Sequence, residues 1–201
     1  MTATTKKSIS DKPARERILL TAHDLFYQDG IRATGVDKVI AEAKVTKVTF
    51  YRHFPSKNDL IRAFLDYRHQ RWIAWFKEAL ERNHGEGLMA VIPALQEWFD
   101  NPGYRGCAFI NIAAELGNSL PDTLKICRRH KQDMVDLIAD LLPLTDLRRE
   151  LADAAAVAVD GAIVRAQMES GQEARTALAS LAVILKALNE AQATGSVELP
   201  Q

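Results

Sequence analysis

The stretch VTKVTFYRHFPSKNDL, residues 45–60, decides the fold expected of this chain. Read as a short helix, it can turn Val45, Phe50 and Phe54 toward an interior, and Phe50 and Phe54 share one helix face because they are four positions apart. The opposite face then presents polar and small side chains, namely Lys47, Val48, Thr49, Tyr51 and His53. A face rich in hydrogen-bond donors suits phosphates and the edges of nucleic-acid bases.

The sequence on either side predicts three more helices near this one. Thr46 is a suitable N-cap for the short helix, and Pro55 ends it. Ser56 and Asp59 resemble a capping box at the start of a long helix. The four predicted helices cover residues 13–30, 36–43, 46–53 and 56–82. The second is capped by Thr34 or Gly35, and a tight turn at Lys44 separates it from the third.

Beyond residue 83, glycines and prolines divide the chain into about five further helices, over residues 87–100, 106–118, 121–142, 145–170 and 172–193. Alternating β-strand patterns are almost absent. We therefore expect an all-α protein of about nine helices. Its N-terminal three-helix domain, residues 1–55, has the helix-turn-helix arrangement. Helix 4, residues 56–83, links this domain to a C-terminal helical domain within residues 56–201.

Composition excludes several classes of protein. No apolar run approaches the ~20 residues that span a membrane, and the first residues lack the apolar core of a signal peptide, so a cytoplasmic location is expected. Cys107 and Cys127 lack metal-ligand spacing, and neither a metal nor a cofactor is predicted. No spacing typical of catalytic residues occurs, so we do not expect an enzyme.

Charge is divided unevenly although the net charge is zero. Residues 1–70 hold thirteen Lys and Arg against eight Asp and Glu, while residues 71–201 hold thirteen against eighteen. A basic N-terminal third on an acidic remainder is typical of a phosphate-binding module attached to a different body.

The segments ILLTAHDLFYQDGI, VDKVIAEAKVTKVTFYRHF and PSKNDL, which lie between Ile18 and Leu60, resemble the DNA-binding domain of the TetR family of bacterial repressors. The resemblance implies contacts to the DNA backbone from Lys47, Tyr51, His53 and Lys57. It implies reading of base edges by Val48, Thr49 and Arg52, and it places Thr34 where the family caps helix 2 against a phosphate.

The turn between helices 2 and 3 departs from the family pattern. The family usually has glycine where this sequence has Lys44, and a side chain in a left-handed conformation costs on the order of 1 kcal/mol. Either the turn is shifted, or Lys44 is tolerated because its amine reaches a phosphate. Lys44 and the neighbouring N-cap Thr46 are therefore included among the DNA-binding residues.

The last two helices carry a stripe of small residues and a stripe of leucines. The small residues include Ala155, Ala158 and Ala162, and the leucines are Leu178, Leu181, Leu185 and Leu188. The resemblance implies that these helices form a four-helix bundle with the same pair of a second subunit, which makes a homodimer. The alternative is that they close the core of one chain.

The resemblance also implies a small-molecule site among the C-terminal helices. Large side chains are candidates to line it, and they give the effector an expected apolar or aromatic character: Trp72, Phe76, Met89, Trp98, Phe99, Tyr104, Phe109, Met134 and Met168. Asn111 and Glu115 lie one turn apart and are candidate polar contacts. The alternative for each large residue is ordinary core packing, and for the polar pair it is exposure to water.

The combined reading is a ligand-responsive transcriptional regulator, a repressor, that binds a palindromic double-stranded operator as a homodimer and is released by a small-molecule effector. An architectural DNA-binding protein without an effector is the alternative, because it would need the same N-terminal domain.

Overall fold

The computed structural model describes residues 11–83, 85–117, 119–168 and 172–194. Within these ranges the structure has nine α-helices, a 3-10 helix at Gly87–Ala90, and no strand. The helices are α1 (Ala14–Asp29), α2 (Val36–Glu42), α3 (Lys47–His53), α4 (Lys57–Arg82), α5 (Val91–Phe99), α6 (Ala108–Leu116), α7 (Pro121–Ala139), α8 (Arg148–Met168) and α9 (Gln172–Thr194). The all-helical fold predicted from the sequence is confirmed, and the predicted helix ends that fall on described residues differ by at most three residues outside the 3-10 turn. The predicted ends at residues 118 and 170 lie outside the described residues.

The chain forms two compact units, and two helices run from one unit into the other. The first unit comprises Met1–Trp72 and Ala108–Arg128, and the second comprises Ile73–Cys107 and Arg129–Gln201. Helix α4 therefore belongs to both units, as does α7, and α6 packs with the N-terminal helices. This division describes packing, and the functional boundary after residue 55 stays a prediction. Residues 1–10 and 195–201 of the predicted domains lie outside the described residues.

The first unit is built around the aromatic and aliphatic residues of its short helices. Phe50, Phe64 and Ile18 are fully buried, and Phe26 meets Phe64 edge to face with 5.5 Å between ring centroids. Fully burying a side chain of this size contributes about 1.5–3 kcal/mol. Helix α1 contacts both α2 and α3, so one apolar face of α1 holds the two short helices in place.

The second unit depends on the pairing of α8 with α9. These two helices pack against each other, and α9 also contacts α5 and the 3-10 helix. Small buried residues such as Ala152 and Ala155 let the helices approach closely. Helix α7 is joined to α8 by Lys131, whose Nζ donates to Asp160 Oδ1 at 2.5 Å.

Candidate nucleic-acid interface

Helix α3 is held by a cap at its N-terminus and by buried aromatic rings on its inner face. The hydroxyl of Thr46 accepts a hydrogen bond from Thr49 N at 3.1 Å and lies 2.9 Å from the Thr49 hydroxyl. Phe50 and Phe54 are buried, and α3 ends before Pro55. The predicted N-cap and the predicted inward positions of Phe50 and Phe54 are confirmed, whereas Val45, the third residue predicted to face inward, is half-buried. Because the inner face is fixed, the outer face has a defined orientation.

The outer face of α3 is exposed to solvent. Val48 is 70% exposed and Tyr51 is 42% exposed, and Lys47 and Arg52 also lie at the surface. The Lys47 ammonium lies 3.6 Å from an exposed Asp37 carboxylate, a contact that water and salt weaken strongly. This face therefore offers one small apolar side chain between two cations and a phenol, which fits a major groove lined by phosphates and base edges.

The remaining predicted DNA contacts on and beside α3 differ in how accessible they are. Thr49 and His53 are half-buried, whereas Thr46 and Lys44 are exposed. The hydroxyl of Thr49 is already engaged with that of Thr46, so its methyl group is the part most available to a thymine methyl.

The turn between α2 and α3 has not shifted, because Lys44 adopts a positive φ of 51°. Val45 N donates to Ile40 O and Lys44 N donates to Ala41 O, each at 3.2 Å. This pair of bonds is the Schellman motif, which requires a left-handed residue at the position of Lys44 and normally takes glycine there. The first of the two alternatives predicted for this turn is therefore wrong.

Arg17 on α1 stabilises the strained turn, a role that the sequence reasoning missed. Its guanidinium donates to Ala43 O at 3.1 Å, to Lys44 O at 3.3 Å and to Lys12 O at 2.9 Å. Because two of these carbonyls flank the left-handed peptide, the contacts fix the angle between α2 and α3. Arg17 and Lys44 are 27 residues apart, and no local pattern links them.

Thr34 requires a correction. Its side chain is fully buried, and its hydroxyl donates to Gly30 O at 2.7 Å. The N-cap of α2 is Gly35, which was the other residue predicted for that position. A buried hydroxyl that closes the α1–α2 turn has no exposed atom to offer a phosphate, so Thr34 acts on this face only through the backbone it holds.

Lys57 also makes contacts that differ from the phosphate contact implied by the resemblance. Its Nζ donates to Ile31 O at 2.6 Å and lies 6.0 Å from the centre of the Phe26 ring. Burial lowers the pKa of Lys57, and the negative charge of Glu115 opposes that shift. The predicted phosphate contact requires this ammonium to share or leave its bond to the turn, and it stays a prediction.

Ser56 begins α4 with a modified capping box. Its hydroxyl accepts from Asp59 N at 3.2 Å and donates to the Asp59 carboxylate at 2.7 Å. The reciprocal bond to the Ser56 backbone is replaced by a bond to its hydroxyl, as expected for a carboxylate one methylene shorter than glutamate.

Two residues predicted to contact a ligand have other surroundings. Glu115 accepts hydrogen bonds from Ile31 N at 3.2 Å and from Arg32 N at 2.5 Å, so its carboxylate is occupied by the backbone after α1. Met168 is 80% exposed at the end of α8 and lines no interior of the single chain. Both assignments to the ligand site are therefore corrected.

The other predicted ligand residues are divided between the two compact units. Trp72, Phe109 and Asn111 belong to the first unit, and Phe76, Met89, Trp98, Phe99, Tyr104 and Met134 belong to the second. Within the second unit Trp98, Phe99 and Tyr104 form one aromatic cluster, with ring centroids 5.0–6.1 Å apart. The Tyr104 hydroxyl donates to Ile163 O at 2.7 Å and so ties this cluster to α8.

The residues predicted for the dimer interface lie mainly inside one chain. Ala155, Ala162, Leu178, Leu181 and Leu185 are buried between α8, α9 and their neighbours, while Ala158 and Leu188 are half-buried. The alternative, that the leucine stripe closes the core of one chain, is the one the burial supports.

A different set of apolar residues on α8 and α9 is exposed to solvent. Val157 on α8 and Val183 on α9 are 74% and 68% exposed, and Ile184 is 44% exposed. A Cβ added at Gly161 on α8 would meet nothing within 4 Å, so the surface there is open. These residues, Val157, Gly161, Val183 and Ile184, are called the outer α8–α9 face below. The sequence signal that could have identified this face is a β-branched apolar residue outside the buried stripe of its helix, as Val183 lies outside the leucine stripe of α9.

Among the described residues, no three His, Cys, Asp or Glu side chains come together in a way that could hold a metal ion. Both cysteines are buried and unbonded to each other. Across the same part of the chain, every helix is too short or too polar to cross a membrane.

Helices α2 and α3 meet at a Schellman turn, α3 is capped and exposes one face, and α1 supports both. This arrangement is that of a DNA-binding helix-turn-helix protein. Residues 18–64 match the family described as bacterial regulatory proteins, tetR family. A TetR-family transcriptional regulator from Streptomyces coelicolor superimposes with a TM-score of 0.76 and 31% identity over 87% of this chain and 89% of that one. The chain belongs to the TetR family of transcriptional regulators.

Other relatives support the same assignment. The regulator UidR of Escherichia coli K12 is 32% identical over 73 residues, which is 36% of this chain and 37% of UidR. The chain thus matches little more than a third of the length of that relative. A cysteine mutant of the TetR-family regulator CifR, solved with a 26bp double-strand operator DNA, shares the fold with a TM-score of 0.68, 19% identity and coverage of 85% and 94%.

Proposed function

We propose that this protein is a cytoplasmic, ligand-responsive repressor that binds a palindromic operator as a homodimer and leaves it when a small molecule binds. The exposed outer face of α3, with Lys47, Val48, Tyr51 and Arg52 above a buried aromatic layer, is the observation that carries the proposal. The operator complex of CifR supports it by analogy of fold.

Each subunit would insert α3 into one major groove, with half-sites about one helical turn, ~34–36 Å, apart. Arg52 is suited to fork onto guanine, and the Val48 side chain to pack on a thymine methyl. Lys47 and Tyr51 are suited to phosphates, which supply affinity without sequence preference. A two-fold dimer matches a palindrome because each subunit then reads the same half-site.

The outer α8–α9 face supports the proposed homodimer. Val157, Val183 and Ile184 expose apolar surface on two adjacent helices of one unit. Large apolar side chains exposed on packed helices favour an association site, because covering them removes apolar surface from water. We propose that a second copy of the chain covers this face.

The aromatic cluster of Trp98, Phe99 and Tyr104 supports an effector of apolar or aromatic character. Such clusters with a few polar groups are typical of ligand pockets, although they also form ordinary cores. The effector would favour a conformation in which the DNA-binding domains of the two subunits no longer match the half-site spacing. A coupling free energy of about 1–3 kcal/mol between effector binding and DNA binding is typical.

The test begins with the whole protein and a randomised pool of duplex DNA. We expect enrichment of a palindrome whose half-sites lie about one helical turn apart. Tryptophan fluorescence, recorded across a panel of small aromatic molecules, then identifies compounds that bind, and the same compounds should release the enriched duplex. Enrichment of no sequence contradicts the proposal. Enrichment without any releasing compound favours an architectural DNA-binding protein.

A further inference from the structure

Glu115 fastens a helix from outside the DNA-binding motif to the turn that precedes the motif. It lies on α6, 84 residues from Ile31 along the chain, and its two carboxylate oxygens accept from Ile31 N and Arg32 N. Both donors follow the end of α1, where the chain leaves the helix through Gly30 at a positive φ of 85°. The carboxylate thus satisfies two backbone N–H groups that α1 does not use.

The carbonyl side of the same turn is also occupied. Lys57 at the start of α4 donates to Ile31 O at 2.6 Å, and Thr34 N donates to the same oxygen at 3.3 Å. The Lys57 ammonium and the Glu115 carboxylate attract each other across the turn. An anion and a cation therefore hold opposite sides of one short segment, and each orients the other.

This segment sets the direction in which α2 begins. Only Gly35 separates the buried Thr34 from Val36, the first residue of α2, and α2 packs on both α1 and α3. A rotation of the peptides at Ile31 and Arg32 would therefore change the angle of α2 and, through it, the angle of α3. Helix α6 packs in the same compact unit as these helices, so the link lies inside one unit.

We infer that Glu115 is a positioning residue for DNA recognition: by binding Ile31 N and Arg32 N beside Lys57, it holds the helix-turn-helix in the orientation that fits an operator. It touches no DNA itself. The inference rests on the proposed operator binding and deepens it, because it names a residue on α6 on which specific recognition depends. It also replaces the ligand contact expected of Glu115 from the sequence.

The experiment compares Glu115→Gln with the unaltered full-length protein on two duplexes of about 30 base pairs, long enough for two half-sites. One duplex is enriched from a randomised pool by the unaltered protein, and the other has random sequence. The amide keeps one acceptor but removes the charge and one charge-assisted bond. We expect binding to the enriched duplex to weaken about tenfold and binding to the random duplex to change less than about twofold.

Two control variants separate positioning from loss of charge and from loss of stability. Glu150→Gln removes the same charge from an exposed site on α8 and should leave both affinities unchanged. Ile112→Val thins the buried packing of α6 without altering the carboxylate, and it should lower the melting temperature without changing the ratio of specific to random binding. Glu115→Asp keeps the charge on a shorter side chain and should fall between Glu115→Gln and the unaltered protein.

Amide hydrogen exchange provides a direct readout of the two bonds. In Glu115→Gln the amides of Ile31 and Arg32 should exchange about tenfold faster, while those within α1 stay protected. If Glu115→Gln fails to fold, the comparison is made with Glu115→Asp, which should show the same loss of preference to a smaller extent.

Three outcomes overturn the inference. If Glu115→Gln binds the enriched duplex as tightly as the unaltered protein, Glu115 has no positioning role, although the proposed function stands. The same conclusion follows if Ile112→Val reduces the ratio of specific to random binding equally. If the unaltered protein enriches no duplex, the proposed function fails and this inference fails with it.

Discussion

Helices α3 and α9 each bury one face and expose the other, yet their exposed faces differ in chemistry. Over its buried Phe50, α3 exposes Lys47 and Arg52, whereas over its buried Leu185, α9 exposes Val183. A face of donors and cations gains little from contact with apolar surface but much from phosphates. A face of β-branched side chains gains by leaving water. The comparison shows that the exposed half of a helix, and not its buried stripe, identifies what the helix binds.

The largest effect should distinguish the two faces of α9. Leu185→Ala removes a fully buried side chain and should lower the free energy of unfolding by about 2–5 kcal/mol at any protein concentration. The neighbouring Ile184→Ala should instead lower the unfolding midpoint only at protein concentrations at which the chain associates, because it weakens association. Denaturant unfolding at several concentrations measures both, and a concentration-independent loss at Ile184 would contradict the assignment of this face.

A charge on the outer α8–α9 face should separate the subunits. Val183→Glu places a carboxylate in the proposed interface, and we expect a monomer in analytical ultracentrifugation. Operator affinity should fall by about 100-fold, because the two DNA-binding domains no longer bind as one linked pair. Leu144→Glu is the matched control, since Leu144 is 86% exposed and lies in the loop before α8, outside the residues that define the outer α8–α9 face. If the Val183→Glu protein still forms a dimer that binds the operator, the outer α8–α9 face is not the dimer interface.

On the polar face of α3, two cations should behave differently. Arg52→Ala should relax preference at one position of each half-site by about 1–3 kcal/mol. Lys47→Ala should weaken binding to all sequences alike and reduce the slope of affinity against salt by about one. Competition binding against single-base variants of the enriched duplex measures both. An equal loss on specific and random DNA for Arg52→Ala would show that it does not read bases.

The smallest effect is expected at the turn that joins α2 to α3. Lys44→Gly relieves a side chain held at a φ of 51° and should stabilise the protein by up to about 1 kcal/mol. If operator affinity is unchanged, the Lys44 amine makes no phosphate contact, because only strain was removed. A loss of affinity despite higher stability would instead support the predicted contact of Lys44.

The helix-turn-helix region shows how much of the structure local sequence signals predict. The cap at Thr46 and the inward rings of Phe50 and Phe54 were predictable, because each depends on residues within four positions, whereas the sequence left the backbone at Lys44 open and the structure decided it. The support that Arg17 gives to the same turn was not predictable, since nothing in the sequence near Lys44 specifies a guanidinium on another helix.

The C-terminal helices show where such signals end. A leucine stripe predicts that α9 buries that face, and the structure agrees, but the stripe does not say whether the same chain or a second copy covers it. Likewise the spacing of Asn111 and Glu115 predicts a shared side of α6 without specifying what lies opposite. For Glu115 the opposing groups are the backbone amides of Ile31 and Arg32, which follow α1.

The amino-acid sequence by itself determined the helix-turn-helix arrangement and, to within about three residues, the α-helices of the described part of the chain, because caps, helix breakers and the 3.6-residue period act within a few residues. The tertiary structure alone decided which residue covers each face: Arg17 at the turn, Glu115 at the end of α1, and α8 against the leucines of α9. The physical reason is that burial and hydrogen bonding depend on distance in space, and residues 27 or 84 positions apart are brought together only by packing of the whole unit.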